Sequence, residues 1–136
     1  MAAASMSPSP VIVVLAAIVE RDGRLLVTRR VKGTHLAGLW EFPGGKCEAG
    51  ESHDACLARE LMEELGVTCH VGPEVFTTEH AYSDRVVRLH FRACTIEGEP
   101  RPLLGQQIQW IARSALDTLA FPPGDEELIG ILKERG

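Results

Sequence analysis

Residues 52–66 limit the fold most, because they carry the pattern of one amphipathic helix with signals at both ends. Ser52 can accept a hydrogen bond from a backbone N–H of the first turn, and Asp54 suits the positive end of the helix. Gly66 can end the helix in the left-handed conformation. At 3.6 residues per turn one stripe is apolar: Leu57, Ala58, Leu61, Met62 and Leu65. The sequence therefore predicts a helix packed on a core through this stripe, with Met62 in the core.

Three carboxylates lie close together on the same predicted helix. Glu60, Glu63 and Glu64 occupy an arc of roughly 100° away from the stripe. Like charges at this spacing cost a helix a few tenths of a kcal/mol per pair, and Arg59 offers only local compensation. A solvated acidic face is one interpretation. The other is a divalent cation, and oxygen ligands favour Mg²⁺, with Mn²⁺ as a substitute.

The rest of the chain indicates an α/β fold. Val11–Val19 and Arg24–Arg30 are strand-like and separated by a turn, and β-rich runs follow at 71–78, 85–96 and 107–112. A second helix is predicted after Asp125. The order strands, helix, strands, helix predicts a mixed sheet between helices. The glycine-rich stretch Gly33–Gly50 is predicted to be an ordered loop around a site.

Length and charge narrow the class of protein. A chain of 136 residues fits one domain, predicted at 11–136 after a disordered leader at 1–10, and it could be a monomer or a homodimer. The apolar run at 11–19 is too short for the ~20 residues of a membrane helix. A net charge of -5 argues against a nucleic-acid partner.

Other residue types carry little functional signal. The four cysteines match no CxxC pair or zinc spacing, so we expect free thiols in a reducing cytoplasm. No histidine shows paired spacing with a nucleophile, and all five are predicted to be surface or core residues: His35, His53, His70, His80 and His90.

The acidic helix belongs to a longer motif. Gly45 is followed after five residues by Glu51, and after seven more by Arg-Glu-Leu-Met-Glu-Glu-Leu-Gly-Val at 59–67. This resembles the Nudix box, which runs Gly, five residues, Glu, seven residues, Arg-Glu-apolar-x-Glu-Glu-x-Gly-apolar. Every specified position is present, which makes the resemblance highly specific.

The resemblance implies a fold, a reaction and a set of residues. The fold would be an α/β/α sandwich with a loop-helix-loop catalytic motif. The reaction would be Mg²⁺-dependent hydrolysis of a nucleoside triphosphate to the monophosphate and pyrophosphate. The metal ligands would be the Gly45 carbonyl, Glu60, Glu63 and Glu64. Glu51 and Arg59 would pair to hold the loop and the helix in register.

Residues 39–46 and Phe121-Pro122-Pro123 are similar to the MutT branch of the family. That likeness implies a set of substrate-binding residues: Arg30, Phe42, Gly44, Lys46, Arg85 and Asp125. Phe42 and Trp40 are also explained by packing under the loop. Lys46 and Arg30 could equally be surface charges.

Asp125 stands where the MutT branch has an asparagine that reads the base. An ionised aspartate only accepts hydrogen bonds, so it could take N7–H of 8-oxoguanine or the N4 amino group of cytosine. We place 8-oxo-dGTP first as the substrate, and its removal from the nucleotide pool would avoid DNA damage. CTP or 5-methyl-dCTP comes second. Dinucleoside polyphosphates, nucleotide sugars, capped RNA and a non-catalytic binding module are further alternatives.

The chain departs from the MutT pattern at one position. Leu104 replaces a glutamate that lies six residues before a tryptophan, here Trp110. A leucine neither binds metal nor takes a proton, so the general base is left open between nearby Glu97 and Glu99 and the helix residues Glu63 and Glu64.

Overall fold

The computed structural model describes residues 9–30 and 38–134. Most of the predicted leader, together with His35 and the start of the predicted loop, lies outside these ranges. The described ranges contain seven strands: β1 Val11–Arg21, β2 Arg24–Arg29, β3 Trp40–Glu41, β4 Gly44–Lys46, β5 Thr68–Ala81, β6 Val86–Glu97 and β7 Gln107–Ala112. The helices are α1 His53–Leu65 and α2 Glu126–Glu134, with 3-10 turns at Arg113–Thr118 and Pro123–Asp125.

β1 is the centre of the sheet. It runs parallel to β6, from the pair Val11 and Val86 to the pair Val19 and Cys94. Its other edge pairs antiparallel with β4 and, at its end, with β2. β5 flanks β6, whereas β3 and β7 flank β2. The sheet is therefore mixed, as the sequence predicts.

Alternate residues of β1 enter two different cores, because successive side chains of a strand point to opposite faces. Leu15, Ala17 and Val19 pack with residues of α1. Ala16 and Ile18 pack with Leu128 and Leu132 of α2. The two helices thus cover opposite faces of the sheet, and the predicted α/β/α sandwich is confirmed. Among the described residues, no helix is long and apolar enough to cross a membrane.

Two local predictions are wrong. The described part of Gly33–Gly50 contains the short strands β3 and β4, which form because β2 and β1 offer free edges there. On α1, Met62 is 49% exposed and Cys56 is fully buried. The buried stripe is rotated toward Cys56, since β1 and β5 meet the helix on that side.

The prediction of four free thiols is wrong for one pair. Cys47 and Cys56 form a disulfide, with their Cα atoms 5.2 Å apart. Cys69 and Cys94 are free and buried. The spacing of Cys47 and Cys56 gave no sign of the bond, because their proximity results from the packing of β4 against α1.

Candidate active site

Helix α1 is fixed at both ends as the sequence predicts. Ser52 Oγ accepts a hydrogen bond from the Ala55 N–H at 3.1 Å. Gly66 adopts φ 68°, and its N–H donates to the Met62 carbonyl at 3.1 Å. The two caps and the buried face therefore fix the position and the rotation of the helix. This sets the side of the helix on which its acidic side chains lie.

Gly45 lies against the carboxylate of Glu60. A Cβ added to Gly45 would lie 2.3 Å from Glu60 Oε2, so only a glycine lets the side chain come this close. Gly45 pairs with Leu15 of β1, which fixes its position. The glycine loop and the acidic helix thus meet at the Glu60 carboxylate.

Gly44 and Gly50 of this loop serve the backbone. At Gly44 the φ is 154°, and a Cβ would lie 2.0 Å from the Leu15 carbonyl oxygen. Gly44 is therefore required for β4 to pair with β1. Gly50 has φ 79° and open space around it, so it serves a turn. The expected role of Gly44 in binding substrate stays a prediction.

Arg59 links the helix to the loop. Its guanidinium donates to both oxygens of Glu51, at 2.7 and 2.9 Å, and to the Lys46 carbonyl at 3.1 Å. It also donates to Glu60 at 2.7 Å and to Glu63 at 3.2 Å. The expected pair of Glu51 and Arg59 is therefore present, and the same cation compensates two of the three helix carboxylates.

Hydrogen bonds from Arg59 and from the Glu48 N–H lower the pKa of Glu51 to about 2. Because this pKa is below that of an unfolded glutamate, the pair stabilises the fold fully above about pH 4.5. The contribution is lost as the pH falls toward 2. At neutral pH we expect Glu51→Gln to unfold at a lower urea concentration than the parent. Between pH 4.5 and 2 its free energy of unfolding should fall less steeply than that of the parent.

Urea denaturation at several pH values tests this expectation. Glu126→Gln, a change of the same kind at an exposed residue of α2, serves as the matched control. A Glu51→Gln variant whose stability falls with acid as steeply as that of the parent would contradict the pairing.

Glu64 occupies a different environment. Burial, then a hydrogen bond and charge repulsion from Glu60, raise the pKa of Glu64 to about 9. Two carboxyl groups in contact in a partly buried place repel each other when ionised, and a cation between them would reverse that cost. Glu63 is less enclosed, with a side chain that is 57% exposed.

The sequence analysis missed Glu41. Its carboxylate pairs with Arg30 at 2.7 Å, and burial raises its pKa despite that cation. Glu41 also raises the pKa of both Glu64 and Asp125. It therefore lies between the acidic helix and the predicted base pocket. A glutamate between the apolar residues of a short strand was the available signal.

Asp125 differs from the expectation of a permanently ionised group. It is 8% exposed, and burial followed by repulsion from Glu41 raises its pKa to about 6. Below that pH the protonated acid can donate as well as accept. The interpretation of Asp125 as an acceptor alone therefore holds only above about pH 6.

The structure supports the packing interpretation of Phe42. The ring is 4% exposed, stacks on Phe121 with centroids 5.4 Å apart, and meets the edge of Phe91. Both partners belong to the core cluster on the α2 side, and direct contact of Phe42 with substrate stays a prediction. Phe42 therefore supports the loop by packing beneath it in the core.

Two predicted substrate residues lie toward the surface. Arg85 precedes β6 and contacts Asp84 at 3.1 Å and the ring of Tyr82. The Lys46 side chain is exposed, whereas its carbonyl accepts from Arg59. The Arg85 contacts do not involve the acidic helix, and Lys46 meets that helix through its main chain, so the substrate roles of both side chains stay predictions.

The alternatives outside the helix for a general base are weakened. Glu97 pairs with His70, and Glu99 pairs with Arg21 at 3.0 Å. Leu104 is 57% exposed. Its loop is held by Gln106, which accepts from the Leu104 N–H and donates to the Glu64 carbonyl at 3.0 Å. Glu63 and Glu64 stay as the candidates.

The comparisons with known proteins agree with this geometry. The family model described as NUDIX domain matches residues 14–130. CTP pyrophosphohydrolase of Escherichia coli K12 is 48% identical over 77 residues, which are 57% of either chain. The 8-oxo-dGTP diphosphatase of the same organism is 36% identical over 119 residues, covering 84% of this chain and 89% of the relative.

Solved structures show the same fold. The Escherichia coli ORF135 protein superposes with a TM-score of 0.82 at 34% identity and 94% coverage of both chains. DNA mismatch repair protein MutT of methicillin-resistant Staphylococcus aureus 252, described as a Nudix hydrolase, gives 0.76 at 35% identity, covering 95% and 100%.

Proposed function

This chain belongs to the NUDIX domain family, and we propose that it hydrolyses nucleoside triphosphates to the monophosphate and pyrophosphate with a divalent cation. The similarity to an 8-oxo-dGTP diphosphatase and a CTP pyrophosphohydrolase supports this reaction. The observation that carries it is the convergence of the Gly45 loop and the Glu60 carboxylate.

The residues present fit a hard divalent cation. A side chain at Gly45 would fill the space that the Glu60 carboxylate reaches, and the available donors are oxygens. The Gly45 carbonyl, Glu60 and Glu64 would hold the cation, with Glu63 at the exposed edge. Mg²⁺ is the proposed ion and Mn²⁺ its substitute. Such an ion would neutralise the charge that develops on the phosphate oxygens and would orient the attacking water.

The chain's own residues would do the positioning. Arg59 holds the loop to the helix through Glu51 and the Lys46 carbonyl, so the distance between Gly45 and Glu60 is fixed before substrate arrives. Glu63, or Glu64 in its ionised form, would accept a proton from the attacking water. Such preorganisation lowers the barrier because no protein dipole must turn during the reaction.

Arg30 and Asp125 would hold the nucleoside end. Arg30 is oriented by Glu41, which is close enough to Asp125 to raise its pKa. 8-oxo-dGTP is the proposed substrate, supported by similarity over most of the chain. A cytidine triphosphate is the second candidate, favoured by an acidic residue at position 125 and by the 48% identity to a CTP pyrophosphohydrolase.

Pyrophosphate release from a panel of triphosphates, with and without Mg²⁺, tests the reaction. We expect release that requires the metal and the highest kcat/KM with 8-oxo-dGTP or a cytidine triphosphate. Metal-independent release, or none with any triphosphate, would contradict the proposal.

Asp125→Asn is expected to shift substrate preference. At pH 7.5 the ionised carboxylate accepts N7–H of 8-oxoguanine but is repelled by the adjacent O6, whereas an amide can donate to O6. The ratio of kcat/KM for 8-oxo-dGTP to that for CTP should rise about tenfold, the size of one hydrogen bond to a base. In the parent this ratio should fall as the pH rises through about 6, and in the variant it should stay flat.

Asp117→Asn provides the matched control, since Asp117 pairs with Lys133 at 2.7 Å on the surface. An unchanged ranking in Asp125→Asn would refute the role of Asp125 in reading the base. It would leave the proposed reaction intact.

A further inference from the structure

The disulfide joins the two parts of the candidate site. Cys47 follows β4 directly, two residues after Gly45, and Cys56 lies on the buried face of α1. The closed ring of chain contains Glu51 and the N-cap Ser52. The bond therefore spans the whole connection between the glycine loop and the acidic helix.

We propose that Cys47 and Cys56 form a reversible thiol–disulfide site, oxidised by a small-molecule disulfide, whose oxidised state tightens the loop that carries the Gly45 carbonyl. The assignment of a metal-binding role to that carbonyl rests on the proposed function. The thiol chemistry of the pair does not.

Exposure separates Cys47 from the other three cysteines. Cys47 is partly exposed, whereas Cys56 is fully buried. Cys69 and Cys94 are 8% and 6% exposed and carry no bond. Exchange needs access to a sulfur, so Cys47 is the residue of the bonded pair that a small thiol or disulfide would attack.

The loop does not depend on the bond for its position. The Cys47 N–H donates to the Val13 carbonyl at 2.9 Å, and Arg59 binds the Lys46 carbonyl and Glu51. The Glu48 N–H donates to Glu51 at 2.9 Å. These contacts stay available when the bond is reduced, so the reduced protein should fold and keep the site. The covalent bond adds restraint to an arrangement already formed.

The redox state also changes what surrounds the Gly45 carbonyl. Cys56 Sγ lies 3.9 Å from that oxygen. A disulfide sulfur has no hydrogen to donate, whereas the reduced thiol can donate a weak S–H···O bond to the carbonyl. Oxidation therefore removes one weak hydrogen bond to the oxygen as well as restraining the loop. Both effects favour binding of a cation at this carbonyl in the oxidised protein.

Oxidation of the cysteine pair by a small-molecule disulfide takes two thiol–disulfide exchange steps. The Cys47 thiolate attacks one sulfur of a disulfide RSSR, forming Cys47–S–S–R and releasing one RS⁻. The Cys56 thiolate then attacks the Cys47 sulfur, breaks the mixed disulfide and releases the second RS⁻. The two protein protons end on two RSH molecules, so one RSSR is reduced for each bond formed. Reduction is the reverse, with attack by RS⁻ on Cys47.

Equilibration of the full chain in glutathione buffers, followed by alkylation and peptide mass spectrometry, tests the site. One intramolecular bond forms for two glutathiones released, so a tenfold decrease in reduced glutathione at constant oxidised glutathione should raise the ratio of disulfide to dithiol about 100-fold. Cys69 and Cys94 should stay unbonded. A tenfold rise, which marks a mixed disulfide at Cys47, or no bond between Cys47 and Cys56, would overturn the proposal.

Cysteine variants distinguish the stabilisation by the Cys47–Cys56 bond from effects of reductant on the other thiols. Oxidised parent should melt about 5 to 10 °C above reduced parent, as expected for closing a short segment. Cys47→Ala should melt at the same temperature with and without reductant. Cys69→Ala, the matched change at a buried unbonded cysteine, should keep the difference. A redox-dependent melting temperature in Cys47→Ala would overturn the assignment to this pair.

The thermodynamic coupling between disulfide formation and Mg²⁺ binding tests whether oxidation tightens the loop. If oxidation favours cation binding, saturating Mg²⁺ must raise the ratio of disulfide to dithiol by the same factor, about threefold for one weak hydrogen bond. An unchanged ratio would contradict the tightening of the loop. Absence of pyrophosphate release in both redox states would overturn the proposed function alone, because the glutathione dependence is measured without nucleotide or metal.

Discussion

Glu60→Gln is expected to lower kcat by at least about 1,000-fold, which corresponds to about 4 kcal/mol of lost transition-state stabilisation. Glu60 is the carboxylate that reaches the Gly45 loop, and its side chain is only 15% exposed. An amide keeps the shape of the side chain and can still accept from Arg59, but it removes the negative charge. The metal would then lose its best-placed charged ligand.

The fold of Glu60→Gln should survive. Glutamine cannot repel Glu64 as a carboxylate does, so the pKa of Glu64 should fall and the melting temperature should change little. Circular dichroism and steady-state kinetics at saturating Mg²⁺ measure both. Glu134→Gln, an exposed residue at the end of α2 on the opposite face of the sheet, should keep full activity. A folded Glu60→Gln variant with more than a tenth of the parent kcat would contradict the assignment.

Gly45→Ala is expected to lower kcat/KM by at least about 100-fold, which requires a loss of only about 3 kcal/mol. The new Cβ would lie 2.3 Å from Glu60 Oε2 and 2.6 Å from Glu60 Cδ, so the carboxylate must leave or the loop must shift. A displacement of about 1 Å in a positioned group is enough for such a loss.

Gly130→Ala is the matched control, because a Cβ at Gly130 meets nothing within 4 Å and the residue lies inside α2. It should keep full activity and gain about 0.5–1 kcal/mol of stability. Parental activity in Gly45→Ala would show that the loop and the Glu60 carboxylate need not approach each other.

The elements that could be predicted from the sequence are those set by local signals. Ser52 and Gly66 bound α1 because capping depends on a few neighbouring residues. β1 was recognisable from its apolar, β-branched run, since it is covered on both faces. The box spacing brings together Glu51 and Arg59, which lie two turns apart along one helix and its cap.

The features that escaped prediction depend on contacts between distant segments. Glu41 interacts with Arg30 and Asp125, and only the folded chain brings these residues near it. The burial that raises the pKa of Asp125 is likewise tertiary. The Cys47 and Cys56 bond forms because β4 packs against α1. Met62 is exposed because the neighbouring strands, and not helical periodicity alone, decide which arc is covered.

The most direct test is a crystal structure with Mg²⁺ and a non-hydrolysable nucleoside triphosphate analogue. We expect the ion about 2.1 Å from oxygens of Glu60 and Glu64 and from the Gly45 carbonyl, and bound to phosphate oxygens of the nucleotide. A structure in which Glu60 and Glu64 point into solvent, while the nucleotide and its metal bind elsewhere, would contradict the proposed hydrolase site.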